Sequence, residues 1–460
     1  MATPECRLRI ERVDGVEGLL AIAAELHACN AGAARPSAFA LPSFVAAYVR
    51  HNEYFPNASM RLRTYVASDQ HRGHTPSHEP SHEPIVGYVM LRHSLDKVAG
   101  PWRGGRLDFA VTHDADEPAV LAVAGRETEV AAAILRHLID HERDWSLLEC
   151  VGQHDGAVLR DVAPTLTSAR IRWREIPMDP FSTVTITWPT LAAYYGALSK
   201  RMRSNVSRQT RRLYAAGAVE LIFAHGGATG ALFDAHLGLE DRSWKHGTDA
   251  AIHRASERVA FFRALAHGRA GLEPSYVGVA LNGVLIAGLL NATFGDSTWS
   301  LDMSYDATHS ELGPGQLPLL LTIGDAIGHH RRSVHFLQFF SYFKERWLAD
   351  SHPAVVLQLL RRPSLWDTRA MAGDLRVRMG GRTGTIEPVL QNAKREGSPA
   401  LVNEASSRAL LDAARSEVCV LDAVAAARIL PFSIDATGAE RSRQEAAGGD
   451  TSGSEATGGN

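Results

Sequence analysis

The chain has 460 residues, of which 45% are hydrophobic and 22% are charged, and its formal net charge is −3. This length exceeds what one ordinary hydrophobic core organises, so we expect two domains with additional segments. The nearly neutral charge argues against a dedicated nucleic-acid-binding protein, no apolar run approaches the roughly 18 residues of a membrane span, and the N-terminus lacks a signal-peptide pattern, so we expect a cytoplasmic protein.

The first 180 residues alternate strand and helix patterns. Runs of alternating or continuous apolar residues indicate strands, and apolar residues at helical spacing indicate helices. In chain order we predict strand 6–13, helices 16–29 and 41–50, strands 61–67, 85–92 and 106–111, helix 129–142, strand 145–151, helix 156–168 and strand 171–176.

Two patterns that resemble metal sites do not predict one. Residues 78–82 read H-E-P-S-H, but the motif needs a helix to bring its histidines together, and the prolines at 76, 80 and 84 prevent one. We therefore interpret this stretch as a surface loop. The 4 cysteines are scattered without a C-x-x-C pair, which excludes a cysteine-rich zinc site. We expect no metal.

The second half of the chain repeats the alternation and adds a basic helix. The helix 191–217 carries six basic residues, Lys200, Arg201, Arg203, Arg208, Arg211 and Arg212. They indicate either a solvated face or a site for an anion. The other predicted elements are strand 183–187, strand 218–224, helices 229–245 and 257–268, strands 275–281, 284–294 and 298–305, helix 317–328, strand 334–339, helix 342–348, strand 354–360 and helix 363–372.

The pattern weakens after residue 373. Residues 403–429 contain helical stretches, and from about residue 435 the composition of Gly, Ser, Glu, Ala and Thr predicts disorder. We interpret this tail as a spacer without a catalytic part.

A glycine-flanked turn stands at the centre of the second half. Residues 312–316 read L-G-P-G-Q, directly before the helix 317–328. The first amides of a helix point outward together, and the helix dipole adds partial positive charge there, so such a turn can hold a pyrophosphate. An ordinary strand-to-helix loop is the alternative. The corresponding place in the first half reads V-A-G-R at residues 123–126 and offers no such turn.

The order of three strands, glycine turn, helix, strand and helix resembles the GNAT acetyltransferase superfamily. The family's turn is written Q/R-x-x-G-x-G/A, and residues 310–315 read S-E-L-G-P-G, with serine in place of the leading residue. The FemAB/CelD-like branch is similar over about residues 190–360. Its features correspond here to the basic helix, D-R-S-W at 241–244, Y-D at 305–306, G-P-G at 313–315 and F-K-E-R-W at 343–347.

The resemblance implies an α/β (α+β) fold of two tandem GNAT-like lobes, each a mixed, mostly antiparallel sheet flanked by helices. We place a degenerate N-terminal lobe at 1–180, an acyltransferase lobe at 181–373 and a C-terminal extension at 374–460. The resemblance also implies acyl-CoA, acetyl-CoA included, as the acyl donor. Its binding residues would be Met303, Tyr305, Leu312, Gly313, Gly315 and Gln316, and a backbone amide within 301–305 would bind the thioester oxygen.

Acyl transfer to an amine needs a base for the amine and an acid for the departing sulfur. We assign Asp302 as the base, on condition that burial raises its pKa, with Glu240, Asp241 and His335 as rivals. The resemblance places the acid at Tyr342, although the family's tyrosine aligns with Phe343, and its upstream aspartate and glycine align with His335 and Phe339. Substrate-binding residues would be Asp241, Trp244 and Lys344.

The leading hypothesis is an N-acyltransferase that moves an acyl group from acyl-CoA to a small-molecule amine, in cell-envelope or polysaccharide metabolism. One alternative is a catalytically inactive GNAT-like binding scaffold. The other is a FemAB-like aminoacyl-tRNA-dependent transferase in which the basic helix contacts tRNA. The negative net charge makes nucleic acid the least favoured partner.

Overall fold

The computed structural model of the protein describes residues 8–51, 61–69, 83–111, 115, 118–246, 248, 251–337, 342–378 and 404–433. The H-E-P-S-H loop, Phe339 and the tail from residue 435 lie outside the described residues, as does the side chain of Tyr342. Within the described part, no helix is both long and apolar enough to cross a membrane.

One continuous sheet of fourteen strands runs through both lobes. The strands are β1 Leu8–Asp14, β2 Arg61–Asp69, β3 Ile85–Ala99, β4 Trp102–Phe109, β5 Leu121–Ala122, β6 Leu147–His154, β7 Ile171–Thr185, β8 Val219–His225, β9 Glu273–Leu281, β10 Val284–Phe294, β11 Ser297–Tyr305, β12 Ser333–His335, β13 Asp350–Arg361 and β14 Cys419–Leu421.

Helices cover both faces of this sheet. They are α1 Gly15–Ala21, α2 Ala23–Ala31, α3 Pro42–His51, α4 Glu127–Asp140, α5 Val158–Val162, α6 Leu191–Ala197, α7 Lys200–Ala216, α8 Thr229–Asp241, α9 Ser256–Ala266, α10 Gln316–Gly328, α11 Tyr342–Glu345, α12 Leu365–Arg378, α13 Glu404–Ala414 and α14 Ala423–Ile429. Short 3-10 helices include Ile252–Arg254 and Ala307–Leu312.

The strand order is β1-β2-β3-β4-β6-β13-β7-β12-β11-β10-β9-β8-β14, with β5 on β3. Within the described sheet, only the pairs β4–β6 and β11–β12 are parallel, and each is bridged by one long helix, α4 or α10. The predicted α/β fold of two mixed, mostly antiparallel lobes is therefore confirmed.

The two lobes share one sheet, and the strands that join them, β7 and β13, differ from the sequence-based prediction. β7 runs unbroken for 15 residues where two shorter strands were predicted. β13 lies between β6 and β7, so a segment predicted for the second lobe pairs with the sheet of the first. The boundaries at 180 and 373 remain predictions.

The helix predicted over 191–217 is two helices. Leu198 has an extended ψ of 151°, and the Ser199 hydroxyl accepts a hydrogen bond from the Met202 amide at 3.2 Å, which starts α7 as a new helix. The helix predicted over 16–29 is likewise divided at Ile22. The break at Leu198 separates α7, which carries the basic residues, from α6.

A shared core fixes the lobes to each other. Phe44 and Tyr48 on α3 of the first lobe pack edge-on against Phe261 on α9 of the second, with ring centroids 5.4 and 5.9 Å apart. All three rings are buried. Burial of this aromatic surface favours a single arrangement of the lobes.

The C-terminal extension contributes to the second lobe. β14 pairs with β8 and so covers the sheet edge, and Leu411 on α13 is only 1% exposed. Arg415 donates two hydrogen bonds to the carboxylate of Glu220 on β8, at 3.2 and 2.7 Å. Residues 404–433 therefore pack as part of the fold.

Candidate functional site

The glycine turn has the shape that its sequence indicated. Gly313 ends the 3-10 helix Ala307–Leu312 in the left-handed region, with φ of 61°. A side chain there would also collide with Gln209 on α7, and one at Gly315 would lie 3.1 Å from the ring of Tyr305. Position 313 therefore favours glycine for two reasons, the left-handed backbone conformation and the close approach of the Gln209 side chain.

The turn leaves two amides of the helix start without an internal acceptor. The Gly313 amide donates to the Ser310 carbonyl at 3.0 Å and the Gln316 amide to the Gly313 carbonyl at 3.2 Å. The hydrogen bonds of the described residues include none from the amides of Gly315 and Leu317. No acidic residue occupies the first turn of α10. An anion could bind here.

Helix α7 borders this turn. Asn205 donates to the side chains of Gln209 and Gln316, both at 3.3 Å, and Arg208 donates to Asn205 at 2.9 Å. Arg208 is exposed, as are Arg201 and Arg212. The basic helix thus places a guanidinium group at the edge of the turn.

Strands β11 and β12 separate just before the turn. Among the described residues they pair at three positions, the last of which joins Trp299 to His335. The pairing of β11 with β10 shifts by one residue at Leu301, where a bulge lies. Within the described part of the sheet, the later half of β11 is therefore paired with β10 alone.

His335 marks the point of separation. Its ring stacks on Trp299 at a centroid distance of 5.0 Å and an angle of 12°. Nδ1 lies 3.1 Å from the Thr183 hydroxyl and Nε2 lies 2.9 Å from the Ser333 hydroxyl. With both nitrogens engaged, this rival base is held as part of the structure.

Asp302 lies in a buried ionic network on the face of β11 that α8 covers. It accepts hydrogen bonds from Lys245 and, at 2.9 Å, from His236 Nε2. His236 Nδ1 lies 3.0 Å from the hydroxyl of Tyr276. All four residues are less than 9% exposed.

The network keeps Asp302 ionised. Burial by itself would raise the pKa of this carboxyl, but the charges and hydrogen bonds of Lys245 and His236 outweigh it and hold the pKa well below its usual value. The raised pKa on which its assignment as the base depended is therefore not found. Sequence reasoning expected burial and missed the two partners.

The D-R-S-W and Y-D motifs meet in space. Arg242 donates from Nε to Asp306 at 3.1 Å, and Ser243 and Asp306 form an isolated β-bridge. Burial by itself would raise the pKa of Asp306, but hydrogen bonds from Thr308 and Arg242 lower it. This ion pair fastens the glycine turn to the end of α8.

The three predicted substrate-binding residues have different surroundings. Trp244 is 51% exposed. Asp241 contacts His246 at 3.2 Å. Lys344 donates to the carbonyls of Phe336 and Leu337, at 2.5 and 3.1 Å, and so fixes the chain that follows β12.

The predicted donor-binding residues lie around the turn. Met303 and Tyr305 alternate with Asp302 and pack on the opposite face of β11, towards α10. Leu312 is partly buried beside them, and Gln316 begins α10. These residues therefore lie near Gly313 and Gly315, and their part in binding the acyl donor remains a prediction. Tyr342 begins α11, and its assignment as the acid remains a prediction.

Residues 200–345 match a family model described as an acetyltransferase (GNAT) domain. This segment is a GNAT acetyltransferase domain. It contains the glycine turn, the separating strands and the Asp302 network, and the match supports acyltransferase activity for the second lobe. No curated protein matches the chain.

Solved structures with some likeness include a conserved protein of unknown function from Bacteroides thetaiotaomicron, 11% identical, with a TM-score of 0.46 over 74% of this chain and 97% of that chain. FemX is 10% identical, with a TM-score of 0.44 over 67% and 90%. A tandem GNAT protein from the clavulanic acid biosynthesis pathway is 12% identical, with a TM-score of 0.39 over 77% and 100%. Likenesses this distant carry no argument about activity.

His236 is a residue of the GNAT domain that sequence reasoning missed, and it had one weak signal. It stands four residues before Glu240 on α8, so the two share a buried face. Glu240, a rival base, accepts hydrogen bonds from the amides of Ile252 and His253 at 2.8 and 3.0 Å and is fully buried. The Glu240 carboxylate is thus held in place by backbone amides.

Proposed function

We propose that the second lobe transfers an acyl group from an acyl-CoA thioester to a small-molecule amine. The observation that carries this proposal is the start of α10, where the amides of Gly315 and Leu317 have no acceptor among the described residues and no carboxylate occupies the first turn. A pyrophosphate would satisfy both amides and meet the positive end of the helix dipole.

The charge of α7 supports a long polar donor beside the turn. Arg201, Arg208 and Arg212 are exposed on α7 and would attract its phosphates.

The unpaired edge of β11 would then hold the donor and bind the thioester oxygen through a backbone amide, as one strand adds to another. Met303, Tyr305, Leu312, Gly313, Gly315 and Gln316 would surround the donor. This arrangement requires no covalent intermediate on the protein. The chemistry reduces to positioning, polarisation of the carbonyl and movement of two protons.

Proton transfer is the more demanding part of the proposal. Asp302 can accept a proton from the amine only when its ion pair with Lys245 loosens, because the paired carboxylate has a pKa well below its usual value. Tyr342 would protonate the sulfur. Trp244, Asp241 and Lys344 would contact the acceptor.

Binding of acetyl-CoA, longer acyl-CoA and free CoA to the full chain, measured by isothermal titration calorimetry, tests the proposal. The variant Gly315→Glu places a carboxylate among the turn amides and should weaken binding by about a hundredfold, which corresponds to about 2.7 kcal/mol. Gly328→Glu is the matched control, because this glycine is exposed at the other end of α10 with nothing within 4 Å. It should bind as the unmodified chain does.

Absence of binding at millimolar concentrations of every CoA form would overturn the proposal and favour the binding scaffold. Equal losses in the two glycine variants would also contradict it, since the turn would then have no special part. If binding survives but no acyl transfer to amines occurs, the lobe is a CoA-binding scaffold without transferase activity.

A further inference from the structure

The connection between α8 and α9 contains a cluster of which the acyl-transfer proposal uses only Asp241, as a contact to the acceptor. The cluster consists of Asp241, His246 and His253. Each residue offers one ligand atom, and these three atoms lie within 4.8 Å of one another. Asp241 Oδ1 is 3.2 Å from His246 Nδ1 and 3.6 Å from His253 Nε2. Two histidine nitrogens thus face one carboxylate oxygen.

These separations match those between ligands of one metal ion. Zinc binds histidine nitrogen and carboxylate oxygen at about 2.0–2.1 Å, so two ligand atoms at a tetrahedral angle are about 3.4 Å apart. Ordinary ion pairs produce similar distances. The second ring nitrogen of His253 separates the two explanations.

His253 Nδ1 lies 3.0 Å from Glu240 Oε2, inside the protein. Glu240 is fully buried and also receives the amides of Ile252 and His253, so its position is fixed. A carboxylate on one nitrogen of a metal-binding histidine orients the ring and leaves the other nitrogen free to bind the ion.

We propose that Asp241, His246 and His253 bind one divalent transition-metal ion, with zinc as the best fit. Two imidazole nitrogens and one carboxylate oxygen are suited to zinc, and the exposure of His246 leaves the remaining position open to water. The ion ties the end of α8 to the 3-10 helix before α9. It therefore fixes the segment that carries Lys245 against Asp302.

The test uses the untagged full chain after treatment with a chelator. Zinc binding is measured by calorimetry, and Co²⁺ replaces zinc to give the visible absorption of a tetrahedral site. One tight site per chain is expected. His246→Ala removes an exposed ligand and should weaken binding at least about a hundredfold, and Asp241→Asn should do so without changing the size of the side chain.

Two controls exclude other sources of binding. His329→Ala removes an exposed histidine whose Nδ1 lies 3.3 Å from Asp325 Oδ1, a pair of the same chemistry elsewhere on the lobe. Simultaneous replacement of His74, His78 and His82 by alanine removes both histidines of the H-E-P-S-H loop and the one that precedes it. Both should bind as the unmodified chain. Loss of the tight site in either control, its persistence in both His246→Ala and Asp241→Asn, or its absence from the unmodified chain would overturn the proposal.

Discussion

The two lobes place a helix after the same kind of strand, but only one of these helix starts suits a phosphate. In the second lobe, α10 begins after Gly313 and Gly315 with no carboxylate in its first turn. In the first lobe, α4 begins with Glu127 and Glu129, and Arg126 is occupied by ion pairs with Glu129 and Asp69. Carboxylates at a helix start take the place that an anion would occupy. A few residues in one turn therefore distinguish lobes with the same architecture.

The first lobe nevertheless contains a pocket in the corresponding region. Its volume is about 360 Å³, and Glu127 and Thr128 at the start of α4 line it together with Gln153 and His154 at the end of β6. Trp299 of the second lobe also reaches it. The first lobe therefore has a cavity beside a helix start whose carboxylates disfavour a phosphate.

The lobes also differ in the cations that hold their buried carboxylates. On β4, Asp108 is bound by Arg92 and Arg106, and these arginines hold its pKa below the usual value although burial by itself would raise it. Lys245 and His236 fulfil the same role for Asp302. The second lobe thus holds its buried carboxylate with one lysine and one histidine, where the first lobe uses two arginines.

The largest effect is expected from Asp302→Asn. This change leaves Lys245 buried beside His236 without its anion, and breaking a buried ion pair typically costs about 3–5 kcal/mol. Urea unfolding at neutral pH measures the loss. Asp296→Asn is the control, because its ion pair with Arg332 is exposed and should contribute less than about 1 kcal/mol. Similar small losses in both variants would show that the network is not a stabilising element.

A smaller loss of stability is expected at the outer edge of the second lobe. Leu411→Ala removes a buried side chain of α13 and should cost about 2–5 kcal/mol. Leu410→Ala, at a partly buried neighbouring position, should cost less. Thermal or urea unfolding of both variants checks the order. Equal stability of Leu411→Ala and the unmodified chain would mean that residues 404–433 do not pack on the lobe.

Both networks make the protein sensitive to acid. The pKa values of Asp108 and Asp302 are lower in the folded chain than in the unfolded one, so their stabilisation is complete above about pH 4 and is lost as the pH falls further. The melting temperature should therefore fall steeply between pH 4 and lower values. The fall should be shallower in Asp302→Asn. An unchanged slope in this variant would contradict the ionised state of Asp302.

The smallest effect concerns the basic helix. Arg208→Ala should weaken CoA binding by about 1.4- to 5-fold at low salt, because an exposed ion pair contributes about 0.2–1 kcal/mol, and the difference should shrink as salt is added. Arg136→Ala, at an exposed position on α4 of the first lobe, should leave affinity unchanged. Calorimetry at two ionic strengths measures the CoA affinity of both variants. Equal losses of affinity in the two variants would indicate that the charge of the whole protein, and not α7, attracts CoA.

Local features of the fold were predictable because their causes are local. Apolar spacing located most helices and strands within a few residues. An Asn-Gly pair favours a tight hairpin, and Asn282 and Gly283 form the turn between β9 and β10 with φ of 52° and 76°. The glycine turn at 313–315 was found from its own residues for the same reason. The short strand β14 was missed, since three residues carry too little pattern.

The amino-acid sequence by itself determined the two-lobed alternation and the position of the turn, because hydrophobic period and backbone freedom act over a few neighbouring residues. Only the tertiary structure decided that β13 enters the first lobe's sheet and that Lys245 and His236 meet Asp302 across 57 and 66 residues of chain. Such contacts leave no repeating pattern in the sequence. They also set the protonation state of Asp302, since burial and charge partners move its pKa in opposite directions and only their positions show which prevails.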